Sequence, residues 1–388
     1  MVRWRATLDW LMDRKARQRP ASAMLQIILQ MGLYQIFWLD RIPHHAAVNE
    51  AVALARRLGF AAQAGFVNAL LRGYLRDEDR TRALLAEIKT SQPDLGWSHP
   101  AWLVDRWRSR WGAAPLTSLL EWNNRPPATY ARLNRLTADP ARVLEQWRAE
   151  GVEHVPFERD WVEPDLVYEL KSHPPLAQLP SFQQGQFYLQ DPSTLLAVRM
   201  LELRPGQSVL DFCAAPGGKL TYTAQLMENA GRLVAHDTSP ERVKQISENC
   251  ARLGVKIVEL AAPGAFDAPA AGPDGGTPGF DRILVDAPCS NTGVMRRRVD
   301  LRWRLRPDEI VRLREGQVAL LRHTAGLLGP GGRLVYSTCS LEPEENQELV
   351  RGFLLGQDRL QLLSERELTP FADGVDGAYV AVLGGRTA

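Results

Sequence analysis

The chain has 388 residues, too many for one ordinary folding unit and enough for two or three with a large core. Hydrophobic residues make up 45% and charged residues 24%, the balance of a globular protein; no stretch reaches the roughly 18 apolar residues of a membrane span, so no membrane partner and a cytoplasmic address are expected. Four scattered cysteines without a CxxC pair exclude a disulfide framework and a zinc site, no metal is expected, and the net charge of +2 is too small to announce a polyanion binder, although residues 1–80 carry 12 Lys and Arg against 7 Asp and Glu.

In chain order, Met24, Leu25, Ile28, Leu29, Met31, Tyr34 and Phe37 recur at helical spacing, and the stretches 49–58 and 63–75 repeat the pattern, so residues 1–80 read as a helical bundle. A helical connector is expected over 81–111, then a small mixed unit over 130–155 with a helix at 141–150. Prolines 156, 164, 174, 175 and 180 mark an irregular connection that closes a second region, 81–187. From about Gln190 short β-branched runs alternate with helical segments. Strands are expected at 208–212, 232–236, 256–260, 282–286 and 333–337, which makes residues 188–388 an α/β domain with a mostly parallel sheet. Pro307 opens one well-marked helix and the run Gly329-Pro330-Gly331-Gly332 closes it. Residues 263–279, with five glycines and four prolines, read as a loop.

Ligands of open parallel sheets bind beyond the carboxyl ends of the strands, so the residues there carry the functional information. The first such end reads Asp211-Phe212-Cys213-Ala214-Ala215-Pro216-Gly217-Gly218-Lys219. Gly217 and Gly218 let backbone approach a ligand, and Asp211 can accept from a cation such as an amino group. There is no GxGxxG and no Walker frame, which argues against a dinucleotide or nucleoside triphosphate. Asp237, 26 positions on, suits ribose hydroxyls, or caps the next helix in competition with Ser239. Two further strand ends carry Asp286-Ala287-Pro288-Cys289 and Ser337-Thr338-Cys339-Ser340. Either cysteine alone reads as a small buried hydrophobe. Both together, at the ligand edge of one sheet, point to thiol chemistry.

This combination resembles the RNA 5-methylcytosine methyltransferase family. His99-Pro100-Ala101-Trp102-Leu103, Arg132-Leu133-Asn134 and Gln190-Asp191-Pro192-Ser193 match its pre-catalytic region. Gly32-Leu33-Tyr34-Gln35, the run from His45 to Val52 and the run from Gly65 to Arg72 resemble a NusB-type RNA-binding module, which points to the branch acting on 16S ribosomal RNA. The resemblance implies a Rossmann-like S-adenosylmethionine-dependent domain behind an all-α module and a small α+β region. It implies a monomer acting on 16S rRNA or a small-subunit assembly intermediate. It also implies Cys339 as the nucleophile that adds to cytosine C6, since C5 alone cannot attack a sulfonium methyl. Cys289 would help remove the C5 proton, Asp286 would hold the cytosine N3 and amino edge, and Lys219 would support the site electrostatically. The cofactor would lie over Cys213, Ala214, Ala215, Pro216, Gly217, Gly218 and Lys219, with Asp211 and Asp286 beside it, Asp237 on the ribose and Arg242 near it.

Arg296, Arg297, Arg298, Arg302, Arg304 and Arg306 surround Trp303 in a stretch that follows Cys289, and they are expected to contact RNA phosphates. The sequence departs from the family where an acidic residue normally follows the third strand: Leu260-Ala261-Ala262-Pro263 stands there, with Asp267 as a substitute. The NusB-type resemblance also starts partway into that module, as though its first helices were missing. Two other readings stay open: the same chemistry on tRNA or large-subunit rRNA, and an RNA-binding assembly factor with weak catalysis.

Overall fold

The computed structural model describes residues 1–16, 20–262, 264–266 and 279–386, which form two compact units: residues 1–125 with 298–304, and residues 126–297 with 305–388. These limits differ from the boundaries expected at 80 and 187. Helix follows helix from Arg5 to Asn124, so the supposed connector extends the helical unit, and the chain enters a sheet only after Pro126.

In the helical unit, Leu25, Ile28, Leu29, Gly32, Leu33, Ile36 and Phe37 face inward along the helix Ala23–Trp38, a three-four alternation that keeps one side of a helix buried. They share a core with Val48 of helix His44–Arg57 and with Val67 and Leu71 of helix Ala64–Arg76. The helix Arg5–Lys15 escaped the sequence reading because it buries only Thr7, Leu8, Leu11 and Met12 among charged neighbours.

The second unit begins with four antiparallel strands, β1 (Thr129–Leu133), β2 (Glu153–Pro156), β3 (Val167–Ser172) and β4 (Phe187–Leu189), in the order β2-β3-β1-β4. The expected helix is present as Pro140–Ala149, capped by Asp139, whose side chain accepts from Ala141 N at 2.7 Å. The stretch 156–187 is not the irregular connection its prolines suggested. They lie outside Val167–Ser172, which forms an inner strand of this sheet.

A seven-stranded sheet follows: β5 (Ser208–Asp211), β6 (Arg232–Ala235), β7 (Val258–Leu260), β8 (Phe280–Asp286), β9 (Leu328–Thr338), β10 (Leu360–Leu368) and β11 (Ala378–Gly385), ordered β10-β11-β9-β8-β5-β6-β7. The five strands expected from sequence are β5 to β9, and they run parallel. The hairpin of β10 and β11 adds antiparallel strands on the β9 side. The helix Pro307–Gly326 lies where expected and ends before the glycine run, which forms the opening residues of β9. This is the α/β, Rossmann-like architecture. From β5 the chain runs outward through β6 and β7, then returns to β8 on the other side of β5. That reversal opens a crevice at the carboxyl ends of β5 and β8. Buried Leu210, Val234, Ile283, Val285, Leu334 and Tyr336 make the sheet rigid beneath it. No helix among the described residues is long and apolar enough to cross a membrane.

Candidate active site

β5 delivers Asp211 to the edge of the sheet, and the chain turns from Phe212 to Gly217 into the N-terminus of helix Gly218–Leu226. Gly217 has φ +103°, a left-handed conformation that a side chain would strain. The turn is held from two sides: Asn249 Nδ2 donates to Pro216 O at 2.9 Å, and the buried Arg132 donates to Gly218 O at 2.8 Å. Asp211 is 1% exposed, and neither carboxylate oxygen has a side-chain or main-chain hydrogen bond of good geometry. Burial, and then the nearby Asp286 carboxylate, push it up to about 7, with Lys219 opposing. An orphaned carboxylate below a glycine turn at a helix N-terminus fits the amino-acid end of S-adenosylmethionine, because an ammonium group would satisfy it. Cys213 is held protonated, its thiol pushed up by burial and by Asp211.

Ser239 caps the helix Pro240–Arg252, which frees Asp237 from that role. The Asp237 side chain is nonetheless tied into the site: it accepts from Ala215 N at 3.3 Å and Ser239 N at 3.2 Å, and Arg242 Nη2 lies 3.4 Å away. Arg242 also donates to Ala215 O at 3.0 Å, so both residues brace the turn that would cover the cofactor. β7 ends at Leu260; Ala261 and Ala262 follow it without an acidic group, and Asp267 lies outside the described residues, as does most of the stretch 263–279.

Asp286 and Ser337 are register partners on β8 and β9, and Ala287 N donates to Ser337 O at 2.9 Å, so the chains beyond both strands leave side by side. This brings Cys289 Sγ within 3.4 Å of Cys339 Sγ. Cys289 is buried and Cys339 partly open. The Cys289 thiol is held well above its ordinary range by its hydrogen bond to Cys339, then by burial. Lys219 Nζ lies 2.6 Å from Asp286 Oδ2, and Ser337 Oγ donates to Asp286 Oδ1 at 2.8 Å. Burial alone would lower Lys219, but Asp286, and behind it Cys339, more than offset that and raise it. Cys339, Cys289, Asp286 and Lys219, chosen from sequence, thus form one cluster, one strand away from the Asp211 turn.

The arginine run is distributed differently from the phosphate-contacting strip expected. Arg296 is buried, its Nε donates to Asp376 Oδ1 at 2.5 Å, and Arg297 bridges Asp376 at 2.6 Å and Asp191 at 2.8 Å. Arg302 is wholly buried in the helical unit, where it donates to Arg3 O, Ser98 O, Asn123 O and Asn124 Oδ1. Trp303 Nε1 donates to Val2 O at 2.8 Å in the same unit. The expectation that Arg296 and Arg302 face RNA is corrected: both are buried and their Nη or Nε groups donate to protein partners, while half-buried Trp303 has its N–H committed to Val2 O. Arg298, Arg304 and Arg306 are exposed.

Sequence reasoning missed three groups. Asn291, two residues past Cys289, has its Oδ1 3.1 Å from Cys339 Sγ and its Nδ2 2.6 Å from Cys289 O. Glu345 is fully buried and accepts from Ser290 N at 2.8 Å, Ser340 Oγ at 2.5 Å, Gln317 Nε2 at 3.0 Å and the Ser290 hydroxyl. The serine that follows each cysteine was the available signal. Arg132 was noted only for its place in a motif, not as the support of the glycine turn.

Residues 198–382 match the family model described as 16S rRNA methyltransferase RsmB/F, residues 1–76 the NusB family, and residues 99–160 the RsmF/B-like methyltransferase ferredoxin-like domain. The chain is 38% identical over 335 residues to "Probable ribosomal RNA small subunit methyltransferase B" of Bacillus subtilis (strain 168), covering 84% of this chain and 71% of that protein. It is 35% identical over 360 residues to "Ribosomal RNA small subunit methyltransferase B" of Cronobacter sakazakii, covering 91% of this chain and 79% of that one. Among solved structures, a methyltransferase homolog protein from Pyrococcus horikoshii superposes with a TM-score of 0.64 at 28% identity, over 76% of this chain and 97% of that one.

Proposed function

The chain belongs to the RsmB/F family of 16S rRNA methyltransferases, and from that membership we propose that it methylates C5 of a cytosine in small-subunit ribosomal RNA through a covalent bond from Cys339. It is an S-adenosylmethionine-dependent RNA methyltransferase. When bound, the cofactor supplies an electrophilic methyl group. The observation that carries the C5 reading is the 3.4 Å approach of the two thiols at the carboxyl ends of adjacent parallel strands, beside the Asp211 turn.

The Cys339 thiolate adds to C6 of the ring, and the C5–C6 π electrons move to C5, which becomes nucleophilic. Asp286, oriented by Lys219 and Ser337, receives the N3 and amino edge and steadies that charge shift. After the methyl group is in place, the C5 proton is removed, its electrons rebuild the C5–C6 double bond, and the C6–sulfur bond breaks to return the thiolate. Cys289 takes that proton as a thiolate, having released its own proton to solvent once Cys339 is bonded to carbon and no longer its hydrogen-bond partner. The target base leaves its stack to reach Cys339, which costs a few kcal/mol and is cheapest in loop RNA. Asp211 holds the cofactor's ammonium group, and Asp237 with Arg242 braces the turn over it.

Unmodified 16S rRNA, 23S rRNA and tRNA are each incubated with the protein and methyl-labelled cofactor. Label is expected at C5 of cytosine in 16S rRNA. Cys339→Ala is expected to abolish transfer, and Cys289→Ala to accumulate a protein–RNA adduct stable to denaturation. The reverse pattern of the two variants overturns the role assignment, and protein that transfers no label to any RNA is an assembly factor.

A further inference from the structure

Two hydrogen bonds fix the direction of every proton around the thiol pair. The Cys289 carbonyl can only accept, so the atom of the Asn291 amide that faces it at 2.6 Å is the NH2 group. The opposite end of the amide, the acceptor Oδ1, therefore faces Cys339 Sγ at 3.1 Å. Cys339 has one proton, and an amide oxygen is a far better acceptor than a neighbouring thiol. The Cys339 S–H thus points at Asn291, and the 3.4 Å contact between the sulfurs must be Cys289 S–H donating to the Cys339 lone pairs. The order is Cys289 to Cys339 to Asn291.

The loop geometry supports a dedicated placement. Asn291 has φ +58° and ψ +26°, a left-handed conformation that asparagine tolerates better than most residues. Two residues on, Gly293 N donates to Cys339 O at 2.9 Å, and a Cβ on Gly293 would come within 2.8 Å of that same carbonyl. The loop carrying Asn291 is thereby pressed against the Cys339 backbone while its amide reaches the Cys339 side chain.

We infer that Asn291 is a positioning residue that orders the two thiols, aiming the Cys339 sulfur and leaving Cys289 as the proton donor toward it. The upward shift of the Cys289 thiol agrees with this order, since its largest cause is the bond to Cys339. The inference rests on the reading of Cys339 as the nucleophile.

The test compares Asn291→Gly, which keeps the left-handed backbone and removes the amide, with Asn291→Asp, which keeps an acceptor facing Cys339 but cannot donate to the Cys289 carbonyl. The full chain is assayed for kcat and KM on unmodified 16S rRNA and for brief iodoacetamide labelling resolved by peptide mass spectrometry. In the parent protein Cys339 is expected to label ahead of Cys289. Asn291→Gly is expected to lower kcat about tenfold or more, below the hundredfold cost of a one-ångström misplacement, with KM for RNA nearly unchanged and the labelling preference lost. Asn291→Asp puts a carboxylate beside Cys339 and so disfavours its thiolate, and it is expected to show the Cys339 preference only at higher pH than the parent protein, with kcat recovering along the same rise. A glycine variant with parental kcat and preference overturns the inference. So does an aspartate variant that stays as damaged as the glycine one at every pH, because a loop anchor acting only through the Cys289 carbonyl predicts a loss that raising the pH does not reverse. If Asn291→Gly fails to fold, the labelling pattern of Asn291→Asp decides alone. A nucleophile other than Cys339 shows separately, as a trapped RNA adduct on a different peptide of the parent protein.

Discussion

Lys219 Nζ lies 2.6 Å from Asp286 Oδ2 at the point where β8 ends, so the carboxylate proposed to meet the target base is already oriented by a nearly buried cation. Lys219→Met removes the charge and keeps most of the stem. Because Asp286 retains partial solvent access, the stability cost is expected to be about 1–3 kcal/mol, short of the 3–5 kcal/mol for breaking a fully buried pair. Loss of orientation and field is expected to lower kcat about a hundredfold. Urea unfolding and single-turnover kinetics check the two effects separately.

Asp211, proposed to hold the cofactor's ammonium group, is expected to make cofactor affinity depend on pH. Its folded-state value is raised to about 7, so folded protein without cofactor binds this proton more tightly than unfolded chain does. The stability this group contributes is therefore full below the ordinary carboxylate range, near pH 4, and is lost as pH rises through about 7. Only the ionised carboxylate pairs with an ammonium group, so binding of S-adenosylhomocysteine is expected to tighten between pH 6 and about 8. Asp211→Asn is expected to flatten that dependence, to bind at least tenfold more weakly, and to be the more stable protein at pH 8 in the absence of cofactor. Calorimetric titrations and thermal unfolding across this pH range measure both.

The arginines divide into two groups that salt titration can tell apart. Arg298 is exposed, so Arg298→Ala is expected to weaken RNA binding and reduce the salt slope by about one counterion. Arg296 shares Asp376 and Asp191 with Arg297, so Arg296→Ala leaves these buried carboxylates with one guanidinium in place of two. It is expected to destabilise the protein by about 1–3 kcal/mol while leaving the salt slope as it was.

The parallel strands were legible because a strand buried on both faces shows as a short apolar run ending in Asp or His, as in Val209-Leu210-Asp211 and Val234-Ala235-His236. The candidate site was legible for the same reason, since Asp211, Asp286 and the cysteines proposed to act stand at or just beyond the ends of β5, β8 and β9. Pairings that depend on distant partners were not. Arg302 resembles its arginine neighbours in sequence, and only the carbonyls of Arg3, Ser98 and Asn123 around it show that it is interior. Val167–Ser172 was hidden by flanking prolines, and β11 by its lack of a marked boundary within the C-terminal stretch.

Glu345 joins the two cysteine loops from below, and that linkage should be measurable. Ser290 and Ser340, each next to a cysteine, both donate to the same carboxylate oxygen, and their hydroxyls are 3.0 Å apart. Removing one serine leaves the other to hold Glu345, whereas removing both strips that oxygen of its hydroxyl partners in a buried site. Ser290→Ala and Ser340→Ala are each expected to cost about 1 kcal/mol. The double variant is expected to exceed their sum by about 0.5–3 kcal/mol, the range for residues in one network. Since each serine fixes the sulfur beside it, kcat is expected to fall more steeply than additively as well, while cofactor affinity, set at the β5 turn, stays level. A double-mutant cycle on unfolding free energy and on kcat checks this. Strict additivity in both would mean that the two loops are held independently and that their convergence owes nothing to Glu345.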